Sequence, residues 1–191
     1  MRPNYYRDIW ICGPPNNGYP GAFPQGFIEQ VKRKWWGKKR LWVFSGVFQD
    51  PDGTTVDLNP EVRPSHVGSA EELPFPNDTF DFVFADPPYS EEEAARLYGL
   101  PYPSMHRVLS EMKRVTVPGG HILLLHRLIP SGGSEVSDLE WEAIVGVGIL
   151  AYWSNIRALC VWRKPNRIDD FAIQHDPPET TPDPAAREEV K

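Results

Sequence analysis

The 191-residue sequence has little cysteine and no long hydrophobic run, and both features narrow the class of protein. Cys12 and Cys160 are far apart and lack the spacing of metal ligands, so we expect two free thiols. The longest apolar stretch, residues 143–152, contains glycines and is too short to span a bilayer. The first residues lack the apolar segment of a signal peptide. We therefore expect a soluble, cytoplasmic protein without a membrane partner.

Positive charge is also scarce. The net charge of −6 argues against a free-standing nucleic-acid binder, because phosphate contacts require Lys and Arg. Its distribution weakens this argument: residues 165–191 carry seven acids and three bases, which leaves a net charge of −2 for residues 1–164. The segment 165–191 also contains five prolines. We predict a domain over residues 1–164 followed by a disordered acidic tail over residues 165–191, which we expect to be dispensable for chemistry.

Hydrophobic residues make up 40% of the sequence and aromatic residues 12%, enough for a packed core. Their pattern alternates between strand and helix. Predicted helices begin at Pro24 and Tyr102 and end near Gly37 and Val115. Predicted sheet strands are 41–44, 54–57, 65–67, 80–85, 121–126, 140–150 and 155–163, with a further strand-like run at 8–12. We predict an α/β fold with a mostly parallel seven-stranded sheet over 41–163, an antiparallel terminal hairpin at its edge and helices on both faces.

The most specific motif is Asp86-Pro87-Pro88-Tyr89 at the end of an apolar strand. Ligands bind at this edge of an open α/β sheet. Consecutive prolines remove two backbone donors and hold the turn rigid, so its carbonyl groups point away from the ladder. A carboxylate, fixed carbonyls and an aromatic ring together suit a planar group that bears an NH₂. The alternative is a plain Asp-Pro turn after a strand.

This tetrapeptide, preceded by Phe80-Asp81-Phe82-Val83, resembles the catalytic motif of the amino-group DNA methyltransferases, which modify adenine N6 or cytosine N4. The resemblance covers residues 8–163. It implies a Rossmann-like class I methyltransferase fold, S-adenosylmethionine as cofactor, and DNA as the partner. The catalytic residues implied are Asp86, Pro87, Pro88 and Tyr89.

The segments around the motif follow the same family in order. Phe44-Ser45-Gly46 resembles its first cofactor loop, although the next glycine is Gly53. Asp57-Leu58-Asn59 resembles the strand end whose acid takes the ribose hydroxyls, and Ser69-Ala70-Glu71 resembles the loop around the adenine ring. Segment 8–36 resembles the part that closes over the methionine end. The cofactor-binding residues implied are Pro20, Phe23, Pro24, Phe44, Ser45, Gly46, Asp57, Leu58, Asn59, Ser69, Ala70, Glu71 and Asp86.

Other activities remain open at this stage. Related motifs act on RNA bases and on protein glutamine, and a non-catalytic subunit that keeps the fold and binds a partner would share most of these segments. No segment is long enough to form a separate target-recognition domain, so we expect residues 90–102 and 127–139 to be the insertions that contact DNA sequence. We expect no metal site, because His121 and His126 lie on opposite faces of one strand.

Six positive charges between Lys32 and Arg40 surround Trp35 and Trp36. The cluster is either a nucleic-acid or partner surface or a solvated helix end. It precedes the first predicted sheet strand, so we expect it at the amino edge of the sheet, about 17–20 Å from Asp86. We expect that replacing Lys38, Lys39 and Arg40 leaves DNA binding unchanged.

Overall fold

The computed structural model describes residues 5–130, 133–150 and 155–166. The predicted acidic tail therefore lies outside the described residues from residue 167 onward. The helices are α1 Phe27–Trp35, α2 Glu91–Glu93 and α3 Met105–Val115, with a 3₁₀ turn at Pro60–Val62 and a π-helical turn at Ala94–Tyr98. The strands are β1 Tyr6–Cys12, β2 Arg40–Val43, β3 Thr54–Asp57, β4 His66–Val67, β5 Phe80–Ala85, β6 Thr116–His126, β7 Glu140–Ile149 and β8 Arg157–Arg163. None of the helices in these ranges is long and apolar enough to cross a membrane.

The strands form one sheet in the order β1-β7-β8-β6-β5-β2-β3-β4. Among the described strands only β8 runs against its neighbours, and every other pair is parallel. The α/β prediction and the antiparallel β7–β8 pair are confirmed. The sheet has eight strands rather than seven, because β1 adds parallel to β7. The hairpin consequently lies inside the sheet, and its predicted position at the edge is wrong.

Two apolar clusters cover the two faces of the sheet. On one face α1 places Phe27, Val31 and Trp35 against β5, β7 and β8. On the other face α3 places Val108, Leu109, Met112 and Val115 against β2, β5 and β6. Apolar side chains at helical spacing on one helix face produce this packing. The prediction of helices on both faces is confirmed, and the Asp86–Tyr89 turn lies where β5 leaves this core.

Several predicted element boundaries were displaced by local geometry. Helix α1 begins at Phe27 rather than Pro24, because Gly26 takes a left-handed conformation with φ 83° just before it. Helix α3 begins at Met105 rather than Tyr102. Strand β6 begins at Thr116, before the Pro-Gly-Gly turn predicted to precede it. The amide of Gly119 donates to the Lys164 carbonyl at 2.8 Å, which keeps that turn within the sheet as an irregularity.

Candidate active site

The Asp86–Tyr89 turn follows the last residue of β5 directly. The Asp86 side chain is only 6% exposed, and Pro87 is buried. The turn is held by α2, whose Glu93 carboxylate accepts from the Tyr89 amide at 3.1 Å. Ser90 in turn caps α2 by accepting from the Glu93 amide at 3.1 Å. The sequence motif therefore forms a rigid corner at the carboxyl edge of the parallel strands, as predicted.

A chain of hydrogen bonds links the motif to the last strand. The Tyr89 hydroxyl donates to Asp86 Oδ1 at 2.7 Å. The same hydroxyl accepts from Arg157 Nη1 at 3.0 Å. Arg157 Nη1 lies 3.9 Å from Asp86 Oδ2 and forms an ion pair with this carboxylate. The site thus contains a buried anion, a phenol and a buried guanidinium in mutual contact.

Burial shifts the acid–base behaviour of this group. Burial raises the pKa of Asp86 to about 6, while Arg157 and the Tyr89 hydrogen bond oppose the increase. Burial and the neighbouring Asp86 carboxylate raise the pKa of Tyr89 well above its usual range. At neutral pH Asp86 is therefore mainly ionised, and Tyr89 is a neutral hydrogen-bond donor. A carboxylate in this state can accept N–H groups from a ligand.

The Tyr89 ring is already in contact with two side chains. The Arg127 guanidinium lies over the ring, 4.9 Å from its centroid. The His126 ring meets Tyr89 edge to face at 5.4 Å. A planar ligand that stacks on the face covered by Arg127 must displace this guanidinium. The Arg127 side chain is 45% exposed, so it has room to move toward solvent.

A cavity of about 310 Å³ lies along the carboxyl ends of β2, β3 and β5. Ten of the thirteen residues predicted to bind the cofactor line it, and the structure brings them together from five segments. They are Pro20, Phe44, Gly46, Asp57, Leu58, Asn59, Ser69, Ala70, Glu71 and Asp86. Residues of the predicted closing segment, Asp8 to Trp10, lie instead on the edge strand β1.

Phe23, Pro24 and Ser45 are absent from this cavity lining and border a neighbouring cleft. Phe23 is partly buried and packs against Phe27 and Phe84 at the border of the core, with ring centroids 5.5 and 5.4 Å away. Ser45 is 5% exposed, and its hydroxyl has no hydrogen-bond partner among the described residues. The predicted contacts of these three residues with the cofactor remain a prediction.

Asp57 organises the first loop of the cavity. Its Oδ2 accepts from the Gly46 amide at 2.8 Å, and its Oδ1 accepts from the Asn59 amide at 2.9 Å. Gly46 has φ 51°, and a Cβ there would approach Tyr19 Cε1 to 3.0 Å. The loop thus depends on glycine at this position although no second glycine follows closely. Each Asp57 oxygen retains a lone pair, so the carboxylate can still accept a vicinal diol.

Aromatic residues that the sequence reasoning missed complete the cavity. Tyr19, Tyr98 and Tyr102 line it together with Leu100. Burial raises the pKa of Tyr98 to about 12, with the Asp86 carboxylate adding to the effect. The end of the segment 90–102, which was predicted to be available for reading DNA, therefore encloses this cavity. Tyr19 and Tyr102 lie in loops and Tyr98 ends the π-helical turn, so the three share no spacing signal that would have revealed this arrangement.

A second cavity of about 350 Å³ adjoins the first. The two share Gly21, Asp86, Pro88 and Tyr98 in their linings. The second cavity adds polar groups from other elements, namely Glu93, Arg127, Asn155 and Arg157. All four residues of the predicted catalytic motif line it. A ligand in the first cavity and a ligand in the second can thus face each other beside the Asp86 carboxylate.

Arg157 was not predicted to contribute to the site, although a signal for it exists. It precedes Leu159 and Val161 by two and four residues, so strand alternation directs all three side chains to the same buried face. Because β8 runs antiparallel to β6, with Ala158 opposite His126, its first residue lies at the carboxyl edge of the parallel strands. Within the described residues, no group of three or more His, Cys, Asp or Glu side chains is arranged to hold a metal ion.

Comparison with known proteins identifies the fold. Residues 50–124 match the family model "Methyltransferase domain", which spans less than half of the chain. No curated protein matches the sequence. A similar solved structure is the complex between the Haloferax volcanii Trm112 methyltransferase activator and a methyltransferase, at 13% identity and TM-score 0.51, covering 73% of this chain and 89% of that one.

Two further structures have the same fold. The N-methyltransferase NodS from Bradyrhizobium japonicum WM9 is 13% identical with TM-score 0.50, covering 73% of this chain and 92% of NodS. The [4+2]-cyclase SpnF is 14% identical with TM-score 0.51, covering 73% and 80%. A cyclase among the neighbours means that this likeness establishes architecture rather than reaction. The chain therefore has the fold of the class I S-adenosylmethionine-dependent methyltransferases, and the family match indicates S-adenosylmethionine as its cofactor.

Proposed function

We propose that this protein methylates the exocyclic amino group of a nucleic-acid base, with N6 of adenine in DNA as the acceptor. The observation that carries the proposal is the position of Asp86 where the two cavities adjoin. The first cavity fits a nucleoside cofactor through Asp57 and the Gly46 loop. The second, of about 350 Å³, is within the size range of small-molecule sites and suits one base turned out of its stack.

The residues of the motif make different contacts with the acceptor. S-adenosylmethionine, when bound, supplies an electrophilic methyl group. The ionised Asp86 carboxylate and the Pro87 carbonyl accept the two N–H groups of the amine, which favours a tetrahedral nitrogen with its lone pair free. The negative charge of Asp86 also stabilises the positive charge that develops on this nitrogen, and the carboxylate can take up the proton that the methylated nitrogen releases. Tyr89 offers its ring for stacking once Arg127 moves aside.

The acceptor is tested by comparing methyl incorporation into matched polymers. DNA and RNA oligonucleotides of one sequence, single- and double-stranded, and a glutamine-containing peptide are incubated with labelled cofactor. We expect incorporation into DNA and N6-methyladenine after digestion. Incorporation confined to RNA or peptide would contradict the proposed substrate, whereas N4-methylcytosine would correct the base alone. Absence of cofactor binding by calorimetry would favour a non-catalytic subunit that acts through a partner.

Asp57 should hold the cofactor. We expect Asp57→Ala to weaken cofactor binding by about 1.5–3 kcal/mol, the usual contribution of hydrogen bonds to a charged group. Isothermal titration calorimetry measures this loss directly. Glu61→Ala, which removes an exposed carboxylate from the 3₁₀ turn nearby, is the matched control and should bind normally. Equal affinities for the two variants would remove Asp57 from the cofactor site.

The positive cluster at residues 32–40 divides into two parts. Arg40 is 7% exposed and bonds to Asp50, so it belongs to the core and is unsuited to a test of DNA contact. Lys38 and Lys39 have exposed side chains, and their amides donate to the Asp81 carboxylate at 3.0 and 2.9 Å. Arg40 is the first residue of β2 and pairs with Phe82, four residues before Asp86 on the parallel strand β5, so the cluster lies toward the amino edge.

We expect the double variant Lys38→Ala, Lys39→Ala to leave DNA affinity unchanged, because these side chains are remote from the acceptor cavity. The measurement is the salt dependence of binding to a short duplex, compared with the wild-type protein. Loss of two phosphate contacts would lower the slope by about two. A reduction of this size would assign the cluster to the DNA surface.

A further inference from the structure

Arg157 occupies an unusual position for a guanidinium. It is the first residue of β8, it is 8% exposed, and its strand neighbours on the same face belong to the core. Nη1 contacts both the Tyr89 hydroxyl and the Asp86 carboxylate, whereas Nη2 is buried and has no hydrogen-bond partner among the described residues. A buried N–H group without a partner destabilises a fold. This geometry points to a functional reason for the residue.

The direction of each hydrogen bond follows from Arg157. A guanidinium can only donate, so the Tyr89 hydroxyl accepts from Nη1 at 3.0 Å. The hydroxyl proton is therefore directed to Asp86 Oδ1, at 2.7 Å. Oδ1 is engaged by this bond, and Oδ2 has its nearest cation at 3.9 Å, beyond hydrogen-bond length. Oδ1 thus keeps one lone pair after its bond to Tyr89, whereas Oδ2 presents both of its lone pairs to a ligand.

We propose that Arg157 is a positioning residue that acts through Tyr89 to hold one oxygen of Asp86 and leave the other for the acceptor amino group. This inference rests on the proposed function, in which Asp86 accepts an N–H of the substrate. It also assigns two roles to Tyr89: the ring stacks on the acceptor, and the hydroxyl relays the orientation set by Arg157. Arg127, the other guanidinium of the cavity, contacts the Tyr89 ring and Glu93.

The charged surroundings of Asp86 come from several elements. Arg157 approaches from β8, Tyr89 from the turn, Glu93 from α2 and Tyr98 from the π-helical turn. Arg157 favours ionisation of Asp86, whereas Glu93 opposes it.

Two further groups lie close to these neighbours of Asp86. Arg127 forms an ion pair with Glu93 at 3.7 Å. His126 contacts the Tyr89 ring, and its burial lowers its pKa, so it is neutral at pH 7. Removing Arg157 therefore leaves a buried carboxylate near a second acid.

The experiment follows the titration of Asp86 directly. The full chain is labelled with ¹³C at aspartate carboxyl groups, and the resonance lost in Asp86→Asn is followed with pH by NMR. In Arg157→Met we expect the midpoint to rise by about one to three pH units, the usual effect of one close opposite charge. Arg157→Lys should restore part of the difference. Arg127→Met is the matched control and should leave the midpoint within about half a unit.

The pH dependence of kcat on DNA gives the second readout. In Arg157→Met we expect the acidic limb of this profile to move with the NMR midpoint of Asp86. In Tyr89→Phe we expect kcat to fall, while the Asp86–Arg157 ion pair still keeps the Asp86 midpoint low. An unchanged midpoint in a folded Arg157→Met protein would overturn the inference, and the thermal unfolding curve at each pH verifies folding. The NMR result requires no substrate, so a failure of DNA methylation with the expected titration would reject only the proposed function.

Discussion

Replacing Asp86 with alanine should abolish methyl transfer while leaving cofactor binding within about tenfold, a difference under 1.4 kcal/mol. The carboxylate is the acceptor that orients the amine and stabilises its developing charge, so its loss removes interactions made in the transition state. The cofactor cavity keeps its other predicted lining residues, including Asp57 and Gly46. Single-turnover assays with labelled cofactor measure the first effect, and calorimetry measures the second.

Glu91→Ala provides the control for this variant. Glu91 is an exposed acid five residues from Asp86, in the first turn of α2, and its side chain lines neither cavity. It should retain full activity. Normal turnover in Asp86→Ala, with binding and folding intact, would show that the motif is a structural turn and that the reacting group lies elsewhere.

Replacing Asp50 with alanine should destabilise the fold by about 3–5 kcal/mol, the usual effect of removing one member of a buried ion pair. Asp50 and Arg40 have side chains only 4% and 7% exposed and are joined by two hydrogen bonds of 2.6 and 2.8 Å. Asp50 also accepts from the Trp42 indole at 2.9 Å. The variant leaves both donors buried without this partner. Chemical denaturation at pH 7 measures the difference.

Asp52→Ala is the matched control, because this carboxylate is 88% exposed and lies 3.9 Å from Arg40. We expect it to change stability by less than about 0.5 kcal/mol. The Arg40 hydrogen bonds lower the pKa of Asp50, so its stabilising contribution is present above the unfolded pKa and is lost as pH falls through the folded value. Wild-type and Asp50→Ala proteins should therefore approach equal stability in acid. Equal effects of the two substitutions at pH 7 would contradict the buried-pair assignment.

The features predicted correctly from sequence are those determined locally. The position of Asp86 follows from the end of an apolar strand and from two prolines that stop it. Asp57 and Gly46 were also located at the ends of short strand-like runs, and the structure places both in one cavity. The role of each in binding remains a prediction.

The features missed or misplaced depend on tertiary context. The packing of Phe23 against aromatic residues of α1 and β5 was not predicted, because those partners are distant in the sequence or on another element. In the sequence, Arg40 is one of six positive charges predicted to form a surface cluster. In the structure, it is buried in an ion pair with Asp50. Arg157 becomes a site residue only because β8 reverses direction next to β6. The alternation of Arg157 with Leu159 and Val161 indicates a buried face, but the pairing that brings it to Asp86 leaves no signal in the local sequence.

Strand β1 has a consequence for the order in which the molecule assembles. It is the first strand in the chain, yet its only described strand partner is β7, with Tyr6 opposite Ala143. Closing so long a loop has a large entropic cost before any pairing offsets it. Until β7 and β8 are in place, Ile9, Trp10 and Ile11 have no strand to pair with. During synthesis the amino-terminal strand must therefore wait for nearly the whole domain, and we expect it to be the last strand to join the sheet.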